Sequence, residues 1–127
     1  MKMPLANSEL AIMDLLWKND QLTAREIREK LYSKATKAQH GTVQKLLQRL
    51  EDKGFITRDR SEFVHRFAAR ISRKQYAGSQ LEDLASKLTA GSLAPLITHL
   101  VETKKISNED IEQIRSILDD HKKDEGK

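Results

Sequence analysis

In the run Thr42-Val43-Gln44-Lys45-Leu46-Leu47-Gln48-Arg49-Leu50, apolar side chains recur at the period of a helix. With Val43, Leu46, Leu47 and Leu50 turned inward, the outward side presents Thr42, Gln44, Lys45, Gln48 and Arg49. The Gln44 carboxamide can pair with adenine through two hydrogen bonds, and the Lys45 ammonium can reach guanine acceptors, so these two are the expected base-reading residues. Thr42, near the helix start, can hold a phosphate with help from free amides, while Gln48 and Arg49 suit the backbone of the same strand. Further on, Arg58, Arg60 and Arg66 flank a short charged turn and would lie against the sugar-phosphate backbone. Taken singly, each is equally well a solvated surface charge; the grouping beside one helix face points to duplex DNA.

The charge distribution agrees with that grouping. Net charge is only +4, but residues 1–71 hold 14 Lys/Arg against 9 Asp/Glu, whereas residues 72–127 hold 9 against 10. The first part is thus +5 and the second −1, so electrostatic affinity for a polyanion belongs to the first. Cysteine is absent, which excludes disulfides, thiolate zinc sites and cysteine nucleophiles and suits a reducing, cytoplasmic setting. His40, His65, His99 and His121 stand at no metal-site spacing, and no Gly-rich phosphate loop, nucleophile elbow or paired-acid arrangement occurs. No enzyme, metal or cofactor is therefore expected. Glu9 and Asp14 interrupt the N-terminal apolar run, so it is no signal peptide, and no segment has the ~18 uncharged apolar residues of a membrane span.

The elements that must position these residues follow from periodicity and caps. Ser8 is expected to cap a first helix that ends at Asn19-Asp20. After the extended link Gln21-Leu22, Thr23-Ala24-Arg25-Glu26 has the form of a capping box opening a second helix to about Tyr32. Ser33 to His40 reads as a turn, Thr42 to Lys53 as the third helix, and Gly54 as its stop. Phe55-Ile56-Thr57-Arg58 and Phe63-Val64-His65-Arg66-Phe67 have strand character around the tip Asp59-Arg60-Ser61-Glu62. Three helices and a hairpin in this order describe a winged helix-turn-helix. The expected fold is mainly α with a small β-hairpin: a winged-helix head over residues 1–71 and a three-helix dimerisation segment over residues 72–127.

In that second segment Ser72, Ser92 and Ser107 are the expected caps, Pro95 falls in the first turn of the middle helix, and the charged tail from Asp119 is expected to fray. The apolar stripes carry Tyr76, Leu81, Leu84 and Leu88, then Leu93, Leu96, Ile97 and Leu100, then Ile111, Ile114 and Leu118. Three short helices with nothing further to cover them need a partner, and a second copy is the simplest, since a palindromic operator demands matching symmetry. Packing against the head is the alternative.

Ser8-Glu9-Leu10-Ala11-Ile12-Met13-Asp14-Leu15-Leu16-Trp17, Leu22-Thr23-Ala24-Arg25-Glu26-Ile27 and Thr42 through Ile56 resemble the penicillinase repressor (BlaI/MecI-type) family. Gly91-Ser92-Leu93-Ala94-Pro95-Leu96-Ile97 and Ser107 through Ile114 resemble that family's dimerisation segment. The resemblance implies a homodimer that sits on a dyad operator, blocks transcription and is removed by an inducing signal, in some members through a membrane sensor protease. The positions matched by Gln44 and Lys45 contact bases in family members, which often carry Arg or Lys and then Thr there. The cleavage site of the antibiotic-responsive members would align between His99 and Leu100, but those members have Asn and Phe, so no cleavage is expected at this bond. The cysteine-rich tail of the copper-responsive relatives has no counterpart. The competing reading is a winged-helix protein-interaction module without specific DNA binding.

Overall fold

Thr23 and Glu26 close on one another as the sequence predicts: the Glu26 amide donates to Thr23 Oγ1 at 3.1 Å and the Thr23 amide to Glu26 Oε1 at 2.8 Å. In the computed structural model, which describes residues 4–32 and 37–125, that box opens the second helix of a mostly helical chain with one small antiparallel sheet. The elements are α1 (Asn7–Lys18), β1 (Leu22–Thr23), α2 (Ala24–Leu31), α3 (Lys37–Asp52), β2 (Ile56–Asp59), β3 (Arg66–Ala69), α4 (Arg73–Thr89), α5 (Ala94–Glu102) and α6 (Asn108–Glu125). Two compact units result, Met1–Leu81 and Glu82–Lys127. No described helix is long and apolar enough to cross a membrane.

The first unit is built on one core. Ile12, Met13 and Leu16 of α1, Ala24 and Ile27 of α2, and Val43, Leu46, Leu47 and Leu50 of α3 pack with Leu22, Phe55, Ile56, Phe67 and Tyr76, all buried. The sheet runs β1-β3-β2, with Leu22 opposite Phe67 and Ile56 opposite Ala69. Gly54 takes φ +83°, and its amide and that of Phe55 return to the carbonyls of Glu51 and Leu50. This left-handed turn stops α3 and aims the chain into β2, as the sequence led one to expect.

Several boundaries depart from the sequence reading. The turn expected from Ser33 to His40 is helical from Lys37 onward, and its first residues, 33–36, lie outside the described residues. Lys, Ala and Gln are strong helix formers and need no apolar stripe once a helix has been nucleated against a core, so α3 extends backward past the buried face. The second strand begins at Arg66 rather than Phe63, because the Ser61 amide donates to Asp59 Oδ1 at 2.9 Å and turns the chain early. The hairpin tip therefore takes in Phe63 and Val64, both exposed. Ser8 caps nothing; Ala6 precedes α1. Ser92 is likewise not a side-chain cap, as α5 starts after Leu93. Ser72 and Ser107 do cap α4 and α6, accepting from the Gln75 and Asp110 amides. α6 continues through the tail expected to fray, with Lys122 and Lys123 placed favourably at its negative end.

Tyr76, read from the sequence as part of the dimerisation stripe, is instead buried in the head. Its ring lies edge-on to Phe55 at 5.7 Å and tilted against Trp17 at 6.1 Å, and its hydroxyl accepts from the Leu5 amide at 2.8 Å. Trp17 Nε1 donates to the Ile71 carbonyl, and Arg73 pairs with Asp14 at 2.7 Å while covering the Trp17 ring. The first turn of α4 thus belongs to the head, an arrangement that helical periodicity alone does not distinguish from an outward stripe.

One carboxylate is buried with this core. Glu9 is 1% exposed, accepts from the Ala6 amide at 3.0 Å and from Lys53 Nζ at 2.9 and 3.2 Å, and stands 3.8 Å from Arg49 Nε. It ties the start of α1 to the end of α3. Burial pushes its pKa up, but the Lys53 ammonium, the Ala6 amide and the Arg49 charge outweigh burial and hold it below the ordinary glutamate value. A depressed native pKa contributes stability above the unfolded value, and that contribution is lost as pH falls through the native one. Glu9→Gln should therefore cost about 1–3 kcal/mol in urea unfolding at neutral pH. The gap between variant and wild type should close in acid, below the ordinary glutamate range; a gap that is constant with pH would show that the Glu9 charge is not what matters.

Candidate nucleic-acid interface

Burial of four α3 side chains fixes what its other face can do. Val43, Leu46, Leu47 and Leu50 are at most 5% exposed, which leaves Thr42, Gln44, Lys45, Gln48 and Arg49 all exposed. Their local partners differ. Thr42 Oγ1 donates back to the Ala38 carbonyl, Gln48 Nε2 donates to Asp52 Oδ1 at 2.9 Å, and Gln44 Nε2 lies 3.4 Å from His40 Nε2 one turn earlier. Arg49 leans toward the buried Glu9 and keeps more than half its side chain in solvent. Gln44 and Lys45 stand at the middle of this face, with donors and an acceptor suited to base edges.

The three wing arginines are not equivalent. Arg58 is folded inward: its side chain is 14% exposed, its guanidinium lies 4.7 Å over the Phe67 ring, and its Nε is 3.3 Å from Glu51 Oε1. Arg60, half exposed, reaches back to both oxygens of the same Glu51 at 2.9 and 3.2 Å. Arg66 remains exposed on β3, opposite Thr23 on one side and Asp59 on the other. Hydrogen bonds from Ser61, with Arg66 nearby, hold the Asp59 carboxyl below its ordinary pKa. Arg66 is thus the most available of the three, Arg60 would have to exchange partners to meet a phosphate, and Arg58 supports the wing.

Sequence reasoning missed Glu51, which sits seven residues after Gln44 and so projects from nearly the same side of α3 toward the wing. An acid at that spacing from a base-reading position, just before an arginine-bearing hairpin, was the available signal. It also missed a groove of about 370 Å³ between the start of α2, the first half of α3 and the hairpin tip, whose walls include Arg25, His40, Gln44, Phe63, Val64 and His65. Among the described residues no cluster of His, Asp or Glu could hold a metal ion.

In the second unit the expected interface residues stand largely in solvent. Leu84, Leu88, Leu93, Ile97, Leu100 and Leu118 are 38–67% exposed, as are Val101 and Ile117. Leu96, Ile111 and Ile114 are partly covered. Leu81, at the end of the first unit, is also exposed.

A family model described as penicillinase repressor matches residues 5–120 of the chain. The chain is 30% identical over 116 residues to the transcriptional regulator BlaI of Mycobacterium tuberculosis, across 90% of this chain and 82% of that one. It is 25% identical over 118 residues to the penicillinase repressor of Bacillus licheniformis, across 93% and 91% of the two chains. Among solved structures, that of the hsRosR-S4 complex matches with a TM-score of 0.52 over 92% of this chain and 89% of that one, at 17% identity, a likeness of fold alone.

Because Arg58 stacks on Phe67 and meets Glu51 in a partly buried setting, Arg58→Ala should lower stability by about 1–2 kcal/mol. Arg66→Ala, at an exposed site, should shift it by less than about 0.5 kcal/mol. Equal effects in urea titrations would contradict the inward placement of Arg58.

Proposed function

The chain belongs to the penicillinase repressor family, and on that footing we propose that it is a sequence-specific DNA-binding transcriptional repressor that acts as a homodimer on a dyad operator. It is a binding protein, not an enzyme. The observation that carries the reading is the exposed α3 face of Thr42, Gln44, Lys45, Gln48 and Arg49 above a fully buried apolar face, in the half of the chain that holds the excess positive charge. Laid in a major groove, that face presents Gln44 and Lys45 to base edges while Thr42, Gln48 and Arg49 follow the strand. Arg66, and Arg60 after release from Glu51, lie along the adjoining backbone and set orientation rather than sequence.

A second copy supplies the symmetry that a dyad operator requires, and the exposed leucines and isoleucines of α4, α5 and α6 are the surface it would cover. The domain division that goes with this reading is a winged-helix DNA-binding domain over residues 1–71, onto which the first turn of α4 packs through Tyr76, and a dimerisation segment over 72–127. Operator DNA and a cysteine-free composition both suit the cytoplasm. Release from DNA by an inducing signal, through a sensor protease or otherwise, completes the family's mode of action.

Selection of bound sequences from a random duplex pool should return one palindrome, bound about 10³-fold or more tightly than random DNA at physiological salt. Gln44→Ala and Lys45→Ala should each relax preference at defined positions of that palindrome, at a cost of about 1–3 kcal/mol for the preferred base. Equal affinity for operator and random duplex would dismiss the repressor. Independently, Leu88→Asp or Leu100→Asp should convert the dimer to monomer in sedimentation and leave the unfolding of the head unchanged; a wild-type chain that sediments as a monomer at operator-binding concentrations would remove the dimer.

A further inference from the structure

Phe63 is fully solvent-exposed at the hairpin tip and Val64 beside it is half exposed. An aromatic ring in that position adds nothing to the fold, and water is an unfavourable setting for it. Its neighbours narrow the choice of partner. Arg60 and Arg66 flank it in the chain, and the groove it borders is also walled by Arg25, His65, His40 and Gln44. Arg25 is itself exposed and paired with Glu29 at 3.0 Å across one turn of α2. His40 Nδ1 is buried without a hydrogen-bonding partner among the described residues, so that wall has an unmet polar requirement.

An apolar lip on a cationic, donor-rich groove fits a ligand that alternates apolar and anionic parts along its length. A DNA strand does so, with the carbon faces of its deoxyriboses between its phosphates. We propose that the groove seats one deoxyribose-phosphate unit of the strand next to the bases facing α3, with Phe63 and Val64 packed on the sugar and the phosphate held on the Arg25 and His65 side. The groove shares Gln44 with the base-reading face, so a strand held there would set how deeply that face enters the major groove. A purely apolar protein partner would have to approach through Arg60 and Arg66, and a second copy of the hairpin would bring the same positive charge against itself. The inference rests on the DNA-binding reading and adds an uncharged contact to it.

The test is to measure affinity of the full-length protein for its selected operator across a salt series, with hydroxyl-radical footprinting of the deoxyriboses, for wild type, Phe63→Ala, Phe63→Leu and Arg66→Ala. Phe63 is fully exposed, so its replacement leaves the core in place. Phe63→Ala should bind about five- to tenfold more weakly at every salt concentration, with an unchanged slope of log affinity against log salt. Protection should vanish at the sugar beside each half-site, and Phe63→Leu should recover most of both. Arg66→Ala should instead reduce the slope by about one. Wild-type affinity and footprint for Phe63→Ala would overturn this contact and leave the repressor reading standing. Absence of operator binding by the wild type would remove both. A change in oligomeric state on replacing Phe63 would assign the tip to a second copy and likewise overturn the proposal.

Discussion

The burial of one stripe of α3 is the constraint from which the rest follows. Val43, Leu46, Leu47 and Leu50 are held by α1, α2 and the sheet, and an α-helix with four such positions fixed has no rotational freedom left. The outward direction of Gln44, Lys45, Gln48 and Arg49 is thereby determined by the buried face, whatever contacts they make themselves. Glu9 then fixes the helix along its axis, since its carboxylate joins Lys53 at the far end to the first turn of α1. Apolar packing sets the angle of the reading face and one buried charge pair sets its register. The proposed recognition chemistry at Gln44 and Lys45 is free to vary on the outside, whereas Arg49 also serves the scaffold through its charge beside Glu9.

That separation explains what could be read from the sequence. The α3 face, the Thr23–Glu26 box, the Gly54 turn and the caps at Ser72 and Ser107 are encoded within a few residues, by periodicity or by a side chain bonding its own neighbour. What escaped depends on residues distant in sequence. The inward fold of Arg58 needs Glu51 and Phe67 together. The seat of Tyr76 needs Leu5, Trp17 and Phe55. Phe63 and Val64 looked like strand residues because aromatic and β-branched types favour strands, yet the turn at Asp59–Ser61 and the pairing of Asp59 with Arg66 leave them unpaired in the hairpin tip. Their exposure, which is the informative fact about them, is invisible to propensity.

The second unit inverts the first. Where the head hides its leucines and isoleucines, α4 beyond the head, α5 and α6 leave theirs in water. Residues 82–127 carry 7 Lys/Arg against 10 Asp/Glu, and a unit of net charge −3 with so much apolar surface has little to offer a phosphate backbone and suits the proposed second copy. Tyr76, Trp17 and Arg73 hold the start of α4 to the head. The expected His99–Leu100 alignment falls inside α5, where both residues are exposed but helical.

Glu51 carries a further consequence. When a cationic side chain neutralises a phosphate, cations condensed on the duplex are set loose, and that gain in entropy weakens as salt rises. Arg58 and Arg60 share one carboxylate anchored in α3, which offsets one of their two charges. A phosphate that takes Arg60 must first break its pair with Glu51, which is then left to Arg58 alone, and this offsets part of the gain. The arginines of this hairpin therefore contribute less indiscriminate attraction than their number suggests, and such a surface would favour a well-fitted duplex over an arbitrary one and tolerate changes in ionic strength better than a surface of unpaired charges.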